Sequence, residues 1–433
     1  MIRYLLTAAP VALIATTAAT TAYAAAPAPK FGDPVPFADG AMTFDPIVDA
    51  RLRWEDVDAS TKSADAVTLR VRAGAEIKHK ASGLSALVEG TGTVALDDHY
   101  SAFPYANPAS SQYRSAQAVI PDPQNAAFNR FQIAYQKQGI GLTVGRQRIN
   151  LDDQRFVGSV AWRQNEQTFD AVRGTVNGGP ILLDATYAIS QRSIFGNDGG
   201  PRKAYNGHFI FLNGGLKNAM GSIKGFAYIL DYDKTAFSNA AARSTLDSSQ
   251  TYGVRGNTAP IKLAKNINFV LTGSYANQRN YDRNAKTYNA DYYFGEAALN
   301  VMNTTFTGGY EELGADRGAA GGTWSFQTPM ATLHKFNGTA DLFLTTPANG
   351  LADTYVGVAG KFPKVKALPG LNYGVTYHWF GSAVNSLKYG DELDAQIGFK
   401  ISKVTWLVKY ADYQAKGFGA DTKKFWLQAE YSF

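Results

Sequence analysis

The chain has 433 residues, no cysteine, 18% charged residues and a formal net charge of +6. The missing cysteines exclude a disulfide framework and a Cys-ligated metal, and so modest a charge gives no sign of a nucleic-acid partner unless it is concentrated somewhere. Beyond the N-terminus no apolar run reaches helix-spanning length, so transmembrane helices are not expected; Tyr (24), Phe (25) and Gly (42) are abundant instead.

The first element is a targeting segment. Arg3 supplies a positive start, Leu5 to Ala19 is an apolar run broken only by Thr and Pro10, and Ala22-Tyr23-Ala24 is a small-x-small cleavage site. This pattern predicts a secretory signal over residues 1–24, with cleavage after Ala24 or alternatively Ala26. A single membrane anchor fits less well, because the run is short and Thr-rich. Residues 25–433 then form one domain.

From there the chain alternates with period two. Val67, Leu69, Val71, Ala73, Ala75 and Ile77 share a face, and Thr68, Arg70, Arg72, Glu76 and Lys78 oppose them. Successive side chains of a strand point to opposite faces, so each such segment has one apolar and one polar side. Tyr373, Val375, Tyr377 and Trp379 repeat the pattern, as do Leu393 to Ile401, Val404 to Tyr410, and Phe425, Leu427, Ala429, Tyr431 and Phe433 at the end. Aromatic residues at the ends of apolar faces suit the interfacial girdles of a membrane barrel better than a soluble sandwich. Short links (Lys80–Gly83, Gln138–Gly141, Asn177–Pro180, Ser402–Lys403) alternate with long ones (Leu96–Asn125, Asn150–Glu166, Lys234–Ser249, Asn277–Lys286).

A plain tally gives nineteen segments, but a barrel with both termini on the periplasmic side needs an even number. The weakest segment is Leu333–Thr346, whose apolar residues do not alternate. Assigning Leu313–Ala352 to one long external loop makes Asp353–Phe362 strand fourteen. The predicted fold class is therefore all-β: a transmembrane antiparallel β-barrel of eighteen strands in the outer membrane, with sixteen the nearest alternative. Long external loops fold into the pore, and an interior of this size holds a water-filled channel.

The inward phase of the N-terminal half carries arginines: Arg51 and Arg53, Arg70 and Arg72, Arg130, Arg146 and Arg148, and Arg173. Lipid exposure at mid-membrane would cost each about 2–4 kcal/mol, so they are expected to face the lumen. There, guanidinium forks can bind carboxylate or phosphate. The plainer alternative is a structural ladder balanced by acids. The candidate lumen acids are Asp170, Glu76 and Glu430, with Asp45, Asp49, Glu55, Glu89, Asp184 and Asp394 also available. The loop Leu313–Ala352 contains Trp324, Phe326, Phe336 and Phe343 and is too apolar to be purely solvated. It is expected to narrow the mouth; packing outside the pore is the alternative. Loop Leu96–Asn125 could be a mobile lid or disordered.

The stretch from Gly145 to Arg173, GRQRINLDDQRFVGSVAWRQNEQTFDAVR, resembles the alginate-export family of outer-membrane porins, as does Phe326 to Val356. A strand ending in Phe433 resembles the assembly signal of bacterial outer-membrane barrels, which would make the assembly machinery a partner. The family resemblance implies an eighteen-stranded monomer with an electropositive lumen passing a polyuronate or related anion, with Arg72, Arg130, Arg146, Arg148 and Arg173 in matching contexts and Lys409 where the family has a late-strand Arg. One feature departs from a dedicated exporter: the link between strands sixteen and seventeen is only Ser402-Lys403, where a long periplasmic gating turn would be expected.

The expected function is passive, anion-favouring passage of small or oligomeric anionic solutes. The alternatives are a dedicated exporter of an anionic exopolysaccharide and a non-conducting structural or adhesin barrel. An enzyme is not expected: the five His form no HExxH, and GxSxG is absent. Asp97-Asp98-His99 is the only catalytic candidate, and solvated loop charge explains it better. The stretch from Ala25 to about Ala41 leaves no room for the plug of an energised transporter. Asn197 to Gly200 reads as a turn rather than a calcium loop. No cofactor, metal or nucleic acid is implied.

Overall fold

The computed structural model describes residues 33–233 and 243–432. The predicted signal segment, part of the loop predicted over Lys234–Ser249, and Phe433 lie outside the described residues. Twenty segments join one antiparallel sheet. Two are short appendages: Val35–Phe37 pairs only with the strand that follows it, and Ile261–Ala264 continues the strand before it past Ala259-Pro260, where proline has no N–H to give the ladder. Eighteen wall strands remain (20 − 2). They are β1 Met42–Ala59, β2 Lys62–His79, β3 Leu84–His99, β4 Asn125–Lys137, β5 Ile140–Gln147, β6 Thr168–Gly178, β7 Ile181–Arg192, β8 Ala204–Asn218, β9 Gly221–Tyr232, β10 Ser249–Thr258, β11 Ile267–Asn280, β12 Asn289–Val301, β13 Thr304–Leu313, β14 Leu351–Lys361, β15 Asn372–Gly381, β16 Lys388–Ile401, β17 Val404–Ala415 and β18 Thr422–Ser432.

Each strand pairs with the next, and β18 pairs with β1 from Asp49–Ser432 to Ala59–Thr422, so the sheet closes. Closure leaves no unpaired edge, which is what allows strands to stand in lipid. The outward phase is apolar and exposed along every part of the wall, with Leu52, Val71, Ile133, Val144, Leu271, Val356 and Ile397 as examples. Trp54, Tyr187, Tyr252, Tyr275, Tyr293 and Trp379 ring this band at the long-loop end, and Phe44, Phe306 and Phe362 at the other.

The strand number and the loop that fixed it agree with the expectation: a single excursion, 314–350, separates β13 from β14. Strand fourteen starts two residues earlier than predicted and ends one earlier. The loop 100–124 is packed: Tyr100, Phe103 and Ile120 sit on Val57, Ala64 and Ala66 inside the long-loop end. Asp198 of the Asn197–Gly200 stretch accepts from Gln112 at 2.8 Å, so it braces that loop. At the opposite end the eight links between strands are short, Ser402-Lys403 among them. They carry Lys80, Lys265, Lys364, Lys366 and Lys403 and no Asp or Glu.

Candidate functional site

Two long loops turn back into the barrel. Loop 148–167 follows β5, and loop 314–350 follows β13. Val157 and Met330 form a parallel backbone bridge; Gly158 N–H donates to Met330 O at 2.9 Å, and Gln167 Nε2 donates to Gly158 O and Met330 O. Phe156 fills an aromatic pocket made by Phe226, Tyr228 and Tyr292 of the wall and Phe326 of the other loop. Phe343 does the same against Phe380, Tyr389 and Phe418. Of the other two loop aromatics named from sequence, Phe336 lies under the Arg155 guanidinium and Trp324 beside Tyr288; both are half-buried.

Buried charges fasten both loops. Arg155 donates to Glu311 of β13 at 2.7 Å and to Thr328 and Asn337 of the second loop at 3.1 Å. Arg163 bridges Glu55 of β1 (3.0 Å) and Asp341 (2.7 Å). Neither arginine was singled out from the sequence. The signal that could have found them is the polar density of Arg163-Gln-Asn-Glu-Gln167, which is high for a segment that also carries Phe156 and Trp162.

The ladder meets these loops. Arg51 donates to both carboxylate oxygens of Glu430 (3.2 and 3.0 Å) and to the carbonyls of Ala161 and Trp162. Arg53 donates to Gln428, pairs with Asp122 at 3.4 Å and lies 4.1 Å over the Trp162 ring. Arg70 pairs with Asp49 and Glu430, Arg72 with Glu166, and Arg148 with Glu166 and Glu89. Arg130 takes Glu89 bidentately, and Arg173 takes Asp184 at 3.1 Å. Arg53 and Arg70 are 0% exposed. On this side the ladder ties wall to loops, and carboxylates occupy its guanidinium forks. Glu76 pairs with Lys78 at 3.0 Å rather than with an arginine.

The lumen placement of Arg146 and Asp170 is corrected. Arg146 stands opposite Phe131 and Asp170, in phase with the exposed Val144 and Val172. Both therefore lie on the outward face near the long-loop rim, where they neutralise each other at 2.7 Å. Sequence spacing put Arg146 and Arg148 on one face, but β5 ends at Gln147 and Arg148 already belongs to the inward-turning loop. Gly145 precedes this turn at φ +117°, and a Cβ there would meet Phe131 O at 2.3 Å.

Between the inserted loops and the short-turn end the lumen wall is polar. Here Arg173, Lys224 and Arg255 keep 22%, 26% and 17% of their side chains exposed while pairing with Asp184, Asp152 and Asp153.

His334 marks the centre of the seal. Its ring stacks on Trp162 at 4.5 Å, Nδ1 lies 2.7 Å from Asp341, and Lys409 Nζ lies 2.8 Å from Nε2. An ammonium only donates, so Nε2 accepts and Nδ1–H donates, which makes the ring neutral. Burial and the neighbouring Lys409 push His334 well below the ordinary histidine range. Burial opposes the Asp341 charge, yet His334, Lys424 and Arg163 together hold its carboxyl well below the ordinary carboxylate range. A histidine depressed in the fold stabilises it above the unfolded value of 6.5 and loses that contribution as pH falls below it. Protection factors of the amides around 332–341, each rate normalised to intrinsic exchange at that pH, are thus expected to fall between pH 7 and 5, and His334→Gln should flatten that fall. An equal fall in both proteins would sink this assignment.

The family model described as alginate export matches residues 50–308, which is 259 of the 433 (308 − 50 + 1). The chain belongs to the alginate export family. No curated protein matches its sequence. Among solved structures, this family member is similar to OccK1 (OpdK) of Pseudomonas aeruginosa (TM-score 0.66, 13% identity, 90% of this chain and 98% of that one). It is also similar to OccAB2 of Acinetobacter baumannii (0.67, 14%, 90% and 98%) and to Pseudomonas aeruginosa OpdK solved with vanillate (0.66, 13%, 90% and 98%). At such identities the likeness speaks for the fold alone, a closed porin-type β-barrel.

Proposed function

We propose that this family member is a passive outer-membrane pore that favours anionic solutes: small carboxylates or oligosaccharides of the uronate type. The observation that carries this reading is the charge of the barrel below the inserted loops: Arg173, Lys224 and Arg255 stay part-exposed beside their acids, and the strand links at the short-turn end carry lysines and no acid. OpdK was solved with vanillate, which bears a carboxylate, and a solute of that size and charge suits a lumen narrowed by two loops. Export of a long polymer fits less well, since the link between β16 and β17 is only Ser402-Lys403 and the loops meet across the lumen. A passive pore moves solute down its gradient, so the cell sets direction. We take the barrel to be a monomer assembled through β18.

Single-channel recording in a planar bilayer under a salt gradient tests the reading. An anion-selective reversal potential is expected, with block by oligouronates or aromatic carboxylates. A cation-selective potential sinks it, and the absence of any current would favour a sealed structural or adhesin barrel.

A further inference from the structure

The short-turn mouth carries a second set of cations that differs from the ladder in every respect that matters for permeation. Lys361 ends β14, Lys217 and Lys400 each come one residue before the end of β8 and β16, and Lys262 stands opposite Asn268 of β11. All four lie on the inward phase. Lys361 is in phase with the buried Asp353, and Lys400 with the buried Glu392 and Asp394. Lys217 is in phase with Asn213, which accepts from the inward Tyr228 at 2.7 Å. Asn268 is in phase with the buried Ala276 and Gln278. Their cross-strand partners, Ser222, Asn268, Asn372 and Thr405, are uncharged.

All four lysines are exposed, and among the described residues none has an ion pair or a side-chain hydrogen bond. The links around them hold no acid. The inward acids toward this end have other partners: Asp45 and Glu76 pair with Lys78, Asp184 with Arg173, Glu430 with Arg51 and Arg70, and Glu296 accepts from Tyr355. A buried, paired guanidinium contributes little field to a passing ion, because its charge is cancelled within a few ångströms. Unpaired cations of one sign around a mouth focus the field and concentrate counter-ions.

We propose that the charge that selects anions is this lysine collar at the short-turn mouth, and that the arginine ladder is a structural tie. The proposal rests on the reading of the chain as an anion-favouring pore and locates the residues that set its preference. The collar makes that mouth a capture site for carboxylate- or phosphate-bearing solutes. Because the charge sits at one end, current should also rectify. A Debye length near 10 Å at 0.1 M and near 3 Å at 1 M confines both effects to low salt.

The experiment compares the whole barrel with three quadruple variants at Lys217, Lys262, Lys361 and Lys400: all Gln, all Glu and all Arg. The four side chains lie outside the buried network, and the Arg set checks that substitution itself is tolerated. Reversal potentials in KCl gradients and current–voltage curves are read at 0.1 M and 1 M. The Gln set should lose most of the anion preference, the Glu set should invert it and reverse the rectification, and the Arg set should match the parent. All differences should shrink at 1 M. An anion-selective parent whose preference survives in the Glu set overturns the collar while leaving the pore reading intact. A parent that conducts without anion preference removes the anion-favouring reading. In that case the collar stands only if rectification still reverses between the Arg and Glu sets, and it falls if it does not.

Discussion

Replacing Glu166 with Gln is expected to cost on the order of 3–5 kcal/mol of stability, the usual penalty for removing one partner of a buried ion pair. Glu166 pairs with Arg72 of β2 and with Arg148, and accepts from Asn129 at 3.1 Å. Its carboxyl is fully enclosed. Burial opposes its charge, but Arg148 and Arg72 outweigh that and hold it below the ordinary carboxylate range. Gln keeps the shape and removes the charge. Arg148 retains Glu89 as a partner, but Arg72 is left without a counter-ion among the described residues. Denaturant unfolding in detergent should show the midpoint fall, and Arg72→Met in the same chain should recover part of the loss, since it removes the orphaned charge. An unchanged midpoint would show that water or lumen ions compensate Arg72. The pH dependence has a definite sign: a depressed carboxylate contributes fully above its unfolded value of 4.5 and loses that contribution as pH falls through its folded value.

Excising Thr328–Phe343 and joining the ends with a short Gly/Ser link is expected to give the largest change in conductance. This stretch supplies Met330, the His334 ring, Asn337 and Asp341 to the seal, and its loss leaves loop 148–167 held by the wall alone. Arg163 keeps Glu55, and β13 and β14 keep each other, so the wall should still assemble. Single-channel current should rise several-fold, and the heat-resistant migration of a folded barrel should persist. A current unchanged from the parent would place the conducting path outside the two loops.

Much of the architecture was legible before any coordinates. Alternation such as Val67 to Lys78 names the face of each residue, because a membrane wall permits no other arrangement. Parity then fixed the excursion between Leu313 and Leu351. The partners of the lumen charges were not legible. Arg51 reaches Glu430 and Arg53 reaches Gln428 because closure brings the two ends of the chain side by side, and Arg163 meets Asp341 only because both loops turn inward. Nothing in local spacing encodes such separations. Arg146 failed for the opposite reason: the period-two rule was applied one residue beyond the point where β5 leaves the sheet.

The shared backbone bridge between Val157 and Met330 has a kinetic corollary. Neither loop can withdraw while the other stays seated without stranding Gly158 N–H and the Gln167 amide. Opening should therefore be all-or-none. Current traces should show one dominant step with a single dwell-time constant for each state, rather than a staircase of partial levels from two independently flickering flaps.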